Sequence, residues 1–155
     1  YIMRSDYLNE NSSLANGYVK KLLKVTENYT VTESDGGAIL LVNPTATTEV
    51  DLPTVGDMPP GWNISIVLTE DTFSTDQGMG QKVNIDFNSG GSINGQTWGS
   101  DGDAGDVTAS GDDFIACSAS CTGGDRFDIF TDGVIWYVHG WVQDASECPF
   151  ATAAG

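Results

Sequence analysis

Positive charge is what this sequence has least of: six Lys and Arg stand against 22 Asp and Glu, giving a formal charge of −16 at pH 7. A body this acidic repels phosphate backbones, which argues against nucleic-acid binding. Histidine occurs once, as His139, and no nucleophile-elbow pattern accompanies it. Ser-His-Asp or Cys-His chemistry gathers a nucleophile and an orienting acid around the imidazole, and nothing here spells out that arrangement. No apolar run reaches ~18 residues, so no helical membrane span is expected. A basic-then-apolar leader is also missing from the start of the given sequence. Cysteine appears three times, at 117, 121 and 148. An odd count without a leader does not suit a secreted disulfide framework, and the sequons at Asn11, Asn28 and Asn63 then read as chance matches.

What the chain does have is glycine, threonine, β-branched residues and aromatics, a composition of strands and tight turns. With 155 residues, one domain with a real core is expected. The charge is unevenly placed. Residues 1–24 carry Arg4, Lys20, Lys21 and Lys24 against Asp6 and Glu10, a net of +2, while the rest holds Lys82 and Arg126 against twenty carboxylates, a net of −18. Residues 1–17 are polar and lack a convincing period, so 1–24 is read as an extended arm. Strand and short helix compete over Tyr18–Val25.

From Glu27 onward, short runs alternate with turn residues. Strands are expected at Tyr29–Thr32, Ala38–Asn43 and Thr48–Leu52. In Trp62–Thr69, Trp62, Ile64, Ile66 and Leu68 alternate with Asn63, Ser65, Val67 and Thr69, the period of a half-buried strand. Lys82–Phe87, Phe114–Ser118 and Asp125–Thr131 follow. Residues 88–112, mostly Gly, Ser, Asp and Asn with Ile93, Trp98 and Val107 as anchors, are expected to form a long loop.

Asp132-Gly133 between Arg126–Thr131 and Val134–Val142 is a hairpin signal, because a type I′ turn needs positive φ at both centres. A two-residue turn would set Thr131 opposite Val134, Phe130 opposite Ile135 and His139 opposite Arg126. One side of this hairpin is then Phe127, Ile129, Trp136 and Val138, a core face. The other side carries Phe130, Ile135, Tyr137 and Trp141 beside Arg126, Asp128 and His139. A strand face open to water should be polar, so these four residues are candidates for an oligomer interface. Cover by a second sheet or by the chain's own arm is the alternative.

The order of Tyr29-Thr-Val-Thr-Glu-Ser-Asp-Gly-Gly37, Val50-Asp-Leu-Pro-Thr54, Gly61-Trp-Asn-Ile-Ser-Ile-Val-Leu68 and Asp132-Gly-Val-Ile-Trp-Tyr-Val138 resembles the β-sandwich family of tailed-phage capsid decoration, or cement, proteins. The family pattern has a polar residue where Ile135 stands. The resemblance implies an all-β domain, a β-sandwich or jelly-roll-like fold over 25–142, with a tail at 143–155. It further implies a virion location on the capsid surface and a homotrimer that reinforces the shell against the major capsid protein. Arg4, Lys20, Lys21 and Lys24 of the arm would reach the capsid or a neighbour. A glycan- or receptor-binding module of a tail fibre, with Trp98 as a stacking platform, is the alternative.

No cofactor, catalytic residue or metal site is expected. Cys117, Cys121, His139 and Cys148 supply four formal zinc ligands, but the C-x-x-C knuckle is missing, and free thiols or a local Cys117–Cys121 bridge are expected instead. Asp101-Gly-Asp103-Ala-Gly-Asp106 departs from a calcium loop at positions five, six and twelve.

Overall fold

A computed structural model describes residues 20–69, 80–89, 92–100 and 105–155. Residues 1–19, with Arg4, lie outside them, as do Asp101 and Asp103. The expected all-β sandwich is observed. Among the described residues, eleven strands form two sheets: β1 (Leu22–Val25), β2 (Tyr29–Thr30), β3 (Ile39–Val42), β4 (Thr48–Asp51), β5 (Asn63–Leu68), β6 (Val83–Asp86), β7 (Ile93–Gly99), β8 (Phe114–Cys117), β9 (Arg126–Thr131), β10 (Trp136–Val142) and β11 (Phe150–Ala151). The six-stranded sheet runs β1-β3-β5-β9-β10-β7 and the five-stranded sheet β11-β8-β6-β4-β2.

The chain alternates between layers from β1 to β6, so β1, β3 and β5 pair parallel in one sheet while β4 pairs parallel with β2 and β6 in the other. Parallel neighbours need a crossover, and here each crossover is a strand of the opposite layer rather than a helix. β8 and β9 then enter antiparallel against β6 and β5.

Period-two alternation places the core between the layers. Leu40, Val42, Ile64, Ile66, Leu68, Phe127, Ile129 and Val138 point in from one sheet, and Val50, Val83, Ile85 and Ile115 from the other. Trp136 sits at the centre, edge-on to Trp62 at 5.6 Å and to Phe87 at 6.4 Å. Its indole N–H donates to the Phe87 carbonyl at 3.0 Å, and Trp62 donates to that of Glu33 at 2.8 Å. Each bond spares a buried indole N–H the cost of lying unpaired. Gly140 faces inward opposite Phe127, where a Cβ would lie 2.9 Å from the Phe127 ring and 2.8 Å from Thr97 Cγ2.

Three expectations are corrected here. Residues 22–24, assigned to the arm, belong to β1, which settles the strand–helix ambiguity. Residues 93–99, taken as loop, form β7, parallel to β10. The closing hairpin turns over 132–135, with Trp136 opposite Thr131, Tyr137 opposite Phe130 and His139 opposite Asp128. Side-chain capping causes the last change. Asp132 Oδ1 accepts from the N–H groups of Val134 and Ile135, each at 2.9 Å, while Thr131 Oγ1 accepts from Gly133 and donates to the Ile135 carbonyl. The register therefore slips by two residues. Because side chains alternate with period two, the residues from Trp136 onward keep their faces, and Val134 and Ile135 move into the turn.

Candidate functional site

The outward face of the six-stranded sheet is read directly from the register. One row runs Asn63, Phe130, Tyr137, Asn94. The next runs Leu22, Ile39, Ser65, Asp128, His139, Gln96, and the third Lys24, Leu41, Val67, Arg126, Trp141, Trp98. Three of the four predicted interface residues, Phe130, Tyr137 and Trp141, thus share this face, and Ile135 sits at its rim in the turn.

The face remains largely uncovered in the described chain. Leu22, Trp98 and Trp141 are 52%, 53% and 54% exposed and Phe130 is 45% exposed. Phe130 and Tyr137 stack with ring centroids 5.0 Å apart, and Tyr137 reaches Asp132 Oδ2 through its hydroxyl. His139 lies edge-on to Trp141 at 6.3 Å. Rings held by their neighbours lose little further freedom when a partner covers them. Trp98 and Leu22 join the patch without having been foreseen as interface residues. The spacing of Trp98 from Gln96 and Asn94 was visible, but Gly95 and Gly99 made the segment look like loop.

The charge on this face differs from that of the chain. Its rows carry Lys24 and Arg126 against Asp128, which is held by Arg126 at 2.9 Å and by the Ser65 hydroxyl at 2.7 Å, with Asp132 at the edge beside Tyr137. Ser65, Asp128 and His139 lie in one row, the residue types of a hydrolytic triad, but in the wrong order. Asp128 stands between the other two, so Ser65 donates to a carboxylate and meets no imidazole base.

The lysines assigned to the arm separate. Lys21 is paired with buried Asp35 at 3.0 Å, inside its own chain, whereas Lys24 projects from the outward face and Lys20 is exposed. Asp35 also accepts from the Tyr29 hydroxyl and from the Thr32 N–H and hydroxyl. Burial alone would raise this carboxyl, but the hydrogen bonds from Thr32, Lys21 and Tyr29 outweigh it and hold Asp35 below its ordinary value.

The five-stranded sheet presents the opposite character. Glu49, Asp51 and Asp86 point outward with carboxylate oxygens within 4.8 Å of one another. Burial and the nearby charges of Asp113 and Asp51 push the Asp86 carboxyl up despite a hydrogen bond from the Asn88 N–H. Asp106, from the acidic loop, is committed to the fold: its carboxylate accepts from Phe150 N–H at 2.8 Å, and its carbonyl accepts from Thr97 N–H.

Three buried thiols gather at one end of the sandwich. Cys117 ends β8, Cys121 lies in the β8–β9 connection, and Cys148 precedes β11; their sulfurs lie within 4.8 Å of one another. His139 takes no part, because it stands on the outward face of β10.

No protein-family model matches the chain, and no curated protein or solved structure matches it either.

Proposed function

We propose that this chain is a non-catalytic adhesive protein of the capsid-decoration kind, which self-associates through the outward face of the six-stranded sheet and clamps a larger shell. The observation that carries the reading is that face: four large aromatic rings on β7, β9 and β10, flanked by Leu22, Ile39 and Leu41. A lone domain of this size has no use for a second apolar sheet surface. Covering about 100 Å2 on each ring, at ~25 cal/mol per Å2, gives roughly 10 kcal/mol in total before association costs.

Charge favours the same face. In a chain of net charge −16, contact through the acidic sheet would set carboxylates against carboxylates, whereas on this face Lys24 and Arg126 balance Asp128 and Asp132. The capsid as the larger partner, the virion surface as the location and the three-fold order rest on the sequence resemblance. The major capsid protein is the proposed second partner. Light scattering at micromolar concentration is expected to give three times the 16.4 kDa chain mass. A stable monomer would sink the self-association, and a homotrimer that fails to bind purified shells would sink the capsid role.

A second reading has an observation of its own. Trp98 and Trp141 are register partners on β7 and β10, both half exposed, beside a depression of ≈ 140 Å3 lined by Gln96, Trp98, Asp106 and Val107. Paired indoles suit a sugar ring, so a glycan-binding module of a tail fibre is the alternative. Binding on a glycan array that is lost in Trp98→Ala would favour it, and silence on the array favours adhesion.

A further inference from the structure

The three buried thiols are unexplained by an adhesive sheet face, and their arrangement is specific. Cys117, Cys121 and Cys148 are almost fully buried, and the sulfurs of Cys121 and Cys148 are 2.7 Å apart. That is closer than unbonded heavy atoms normally rest, and small movements of two side chains would bring it to the ~2.05 Å of a sulfur–sulfur bond.

A metal is the first competitor. Cys117, Cys121, Cys148 and Asp125 supply four donor groups, with Asp125 Oδ2 3.9 Å from Cys148 Sγ. The surroundings oppose it. Tetrahedral zinc with ~2.3 Å bonds holds sulfurs about 3.8 Å apart, wider than the pair found here. Cys121 Sγ also faces the Glu147 carbonyl oxygen at 3.2 Å, and Cys148 Sγ faces a carboxylate. Such oxygens accept from S–H or tolerate a neutral disulfide, and they repel thiolates. Asp125 is itself spoken for, accepting from Gln143 N–H at 2.8 Å and Thr122 N–H at 3.1 Å.

We propose that Cys121 and Cys148 are joined by a disulfide that locks the β8–β9 connection to the segment entering β11, with Cys117 kept beside it as a buried free thiol. The position gives the bond a purpose. Cys121 belongs to the connection that carries the chain from the five-stranded sheet into β9 of the six-stranded sheet, and Cys148 leads into a strand of only two residues. The bond holds a short edge strand and an inter-sheet crossing in one place.

The oxidant is a small-molecule disulfide. The Cys121 thiolate attacks one of its sulfurs and releases one small thiolate. The Cys148 thiolate then attacks the Cys121 sulfur of the mixed disulfide and releases the second. The chain gives up two electrons and two protons, and the small disulfide becomes two thiols. Burial of all three sulfurs places this exchange before the core closes around them.

The test uses the full chain refolded in a glutathione redox buffer, then unfolded in guanidinium near neutral pH without reductant and with excess N-ethylmaleimide already present. One alkyl group per chain is expected. Lys82 and Arg126 are the last two tryptic sites, so digestion places Cys117 and Cys121 in peptide 83–126 and Cys148 in peptide 127–155. These peptides should remain linked, with fragmentation placing the bond on Cys121. The link should persist in Cys117→Ala, and reduction should lower Tm by roughly 10 °C. Three alkylated cysteines would overturn the proposal, as would a bond from Cys117 or a metal ion retained in the native mass spectrum.

Discussion

The two outward faces of this sandwich cover one shared core and yet carry opposite chemistry. One presents Phe130, Tyr137, Trp141 and Trp98 with Lys24 and Arg126 at their side; the other presents Glu49, Asp51 and Asp86. An acidic face is stable in water by itself and keeps copies apart. An aromatic face gains only when something covers it. In the proposed reading the acidic layer keeps copies apart and the aromatic layer joins them, a division that can be broken face by face.

The largest effect is expected from charging the aromatic face. Phe130→Asp combined with Trp141→Asp should weaken self-association by at least about 100-fold, because central aromatic anchors commonly carry 2 kcal/mol or more each. Sedimentation over a concentration series would measure it. Fold stability should change little, since both side chains are about half exposed in the single chain. Glu49→Lys on the opposite face is the control and should leave association intact. Dissociation by Glu49→Lys but not by the aromatic pair would reverse the assignment of the faces.

A smaller effect separates the caged carboxylate of Asp35 from the surface acids. It ties Lys21, Tyr29 and Thr32 together beneath the start of β1, so Asp35→Ala should cost about 1 kcal/mol of stability by removing the buried acceptor that these part-exposed donors share. Because the folded-state pKa of Asp35 is lowered, its contribution is present above the ordinary carboxylate value of 3.8 and is lost as pH falls through the lowered one. Urea unfolding of the wild type and Asp35→Asn should therefore show a gap at neutral pH that narrows below that value. A gap that stays constant into strong acid would remove the charge from the account.

How far the sequence disclosed this arrangement depends on which force fixed each part. Trp62–Leu68 was legible because a strict period of two leaves one solution for a half-buried strand. The two sides of the closing hairpin were legible for the same reason, and they survived a register error of two residues. The turn itself was misjudged: Asp132-Gly133 satisfies a two-residue rule, but the Asp132 carboxylate found two backbone N–H groups and lengthened the loop. β7 was missed because it is an edge strand held by long-range pairing. Its Gly95 lies under Val138, where a Cβ would come 2.5 Å from the Val138 carbonyl oxygen, so the residue that looked like a strand breaker is required by close packing. The thiol cluster was out of reach for a similar reason. Cys121 and Cys148 are 27 residues apart, and only the meeting of the β8–β9 connection with the tail brings them together.

The smallest effect tests the acidic face alone. Asp86 has its carboxyl pushed up by burial and by Asp113 and Asp51, so its charged form is disfavoured in the folded chain. A raised folded-state pKa means that stability is lost as pH climbs from the unfolded value toward the folded one, and the penalty is complete at neutral pH. Asp86→Asn keeps an oxygen for the Asn88 N–H and removes the charge, so it should raise Tm by roughly 1–2 °C at pH 7. The gain should vanish near pH 3, where both states hold the proton. Molar salt should shrink it as well, by screening Asp51 and Asp113. A loss of stability at pH 7 would mean that this carboxylate is favoured on the face, and the repulsion assigned to the acidic layer would then be misplaced.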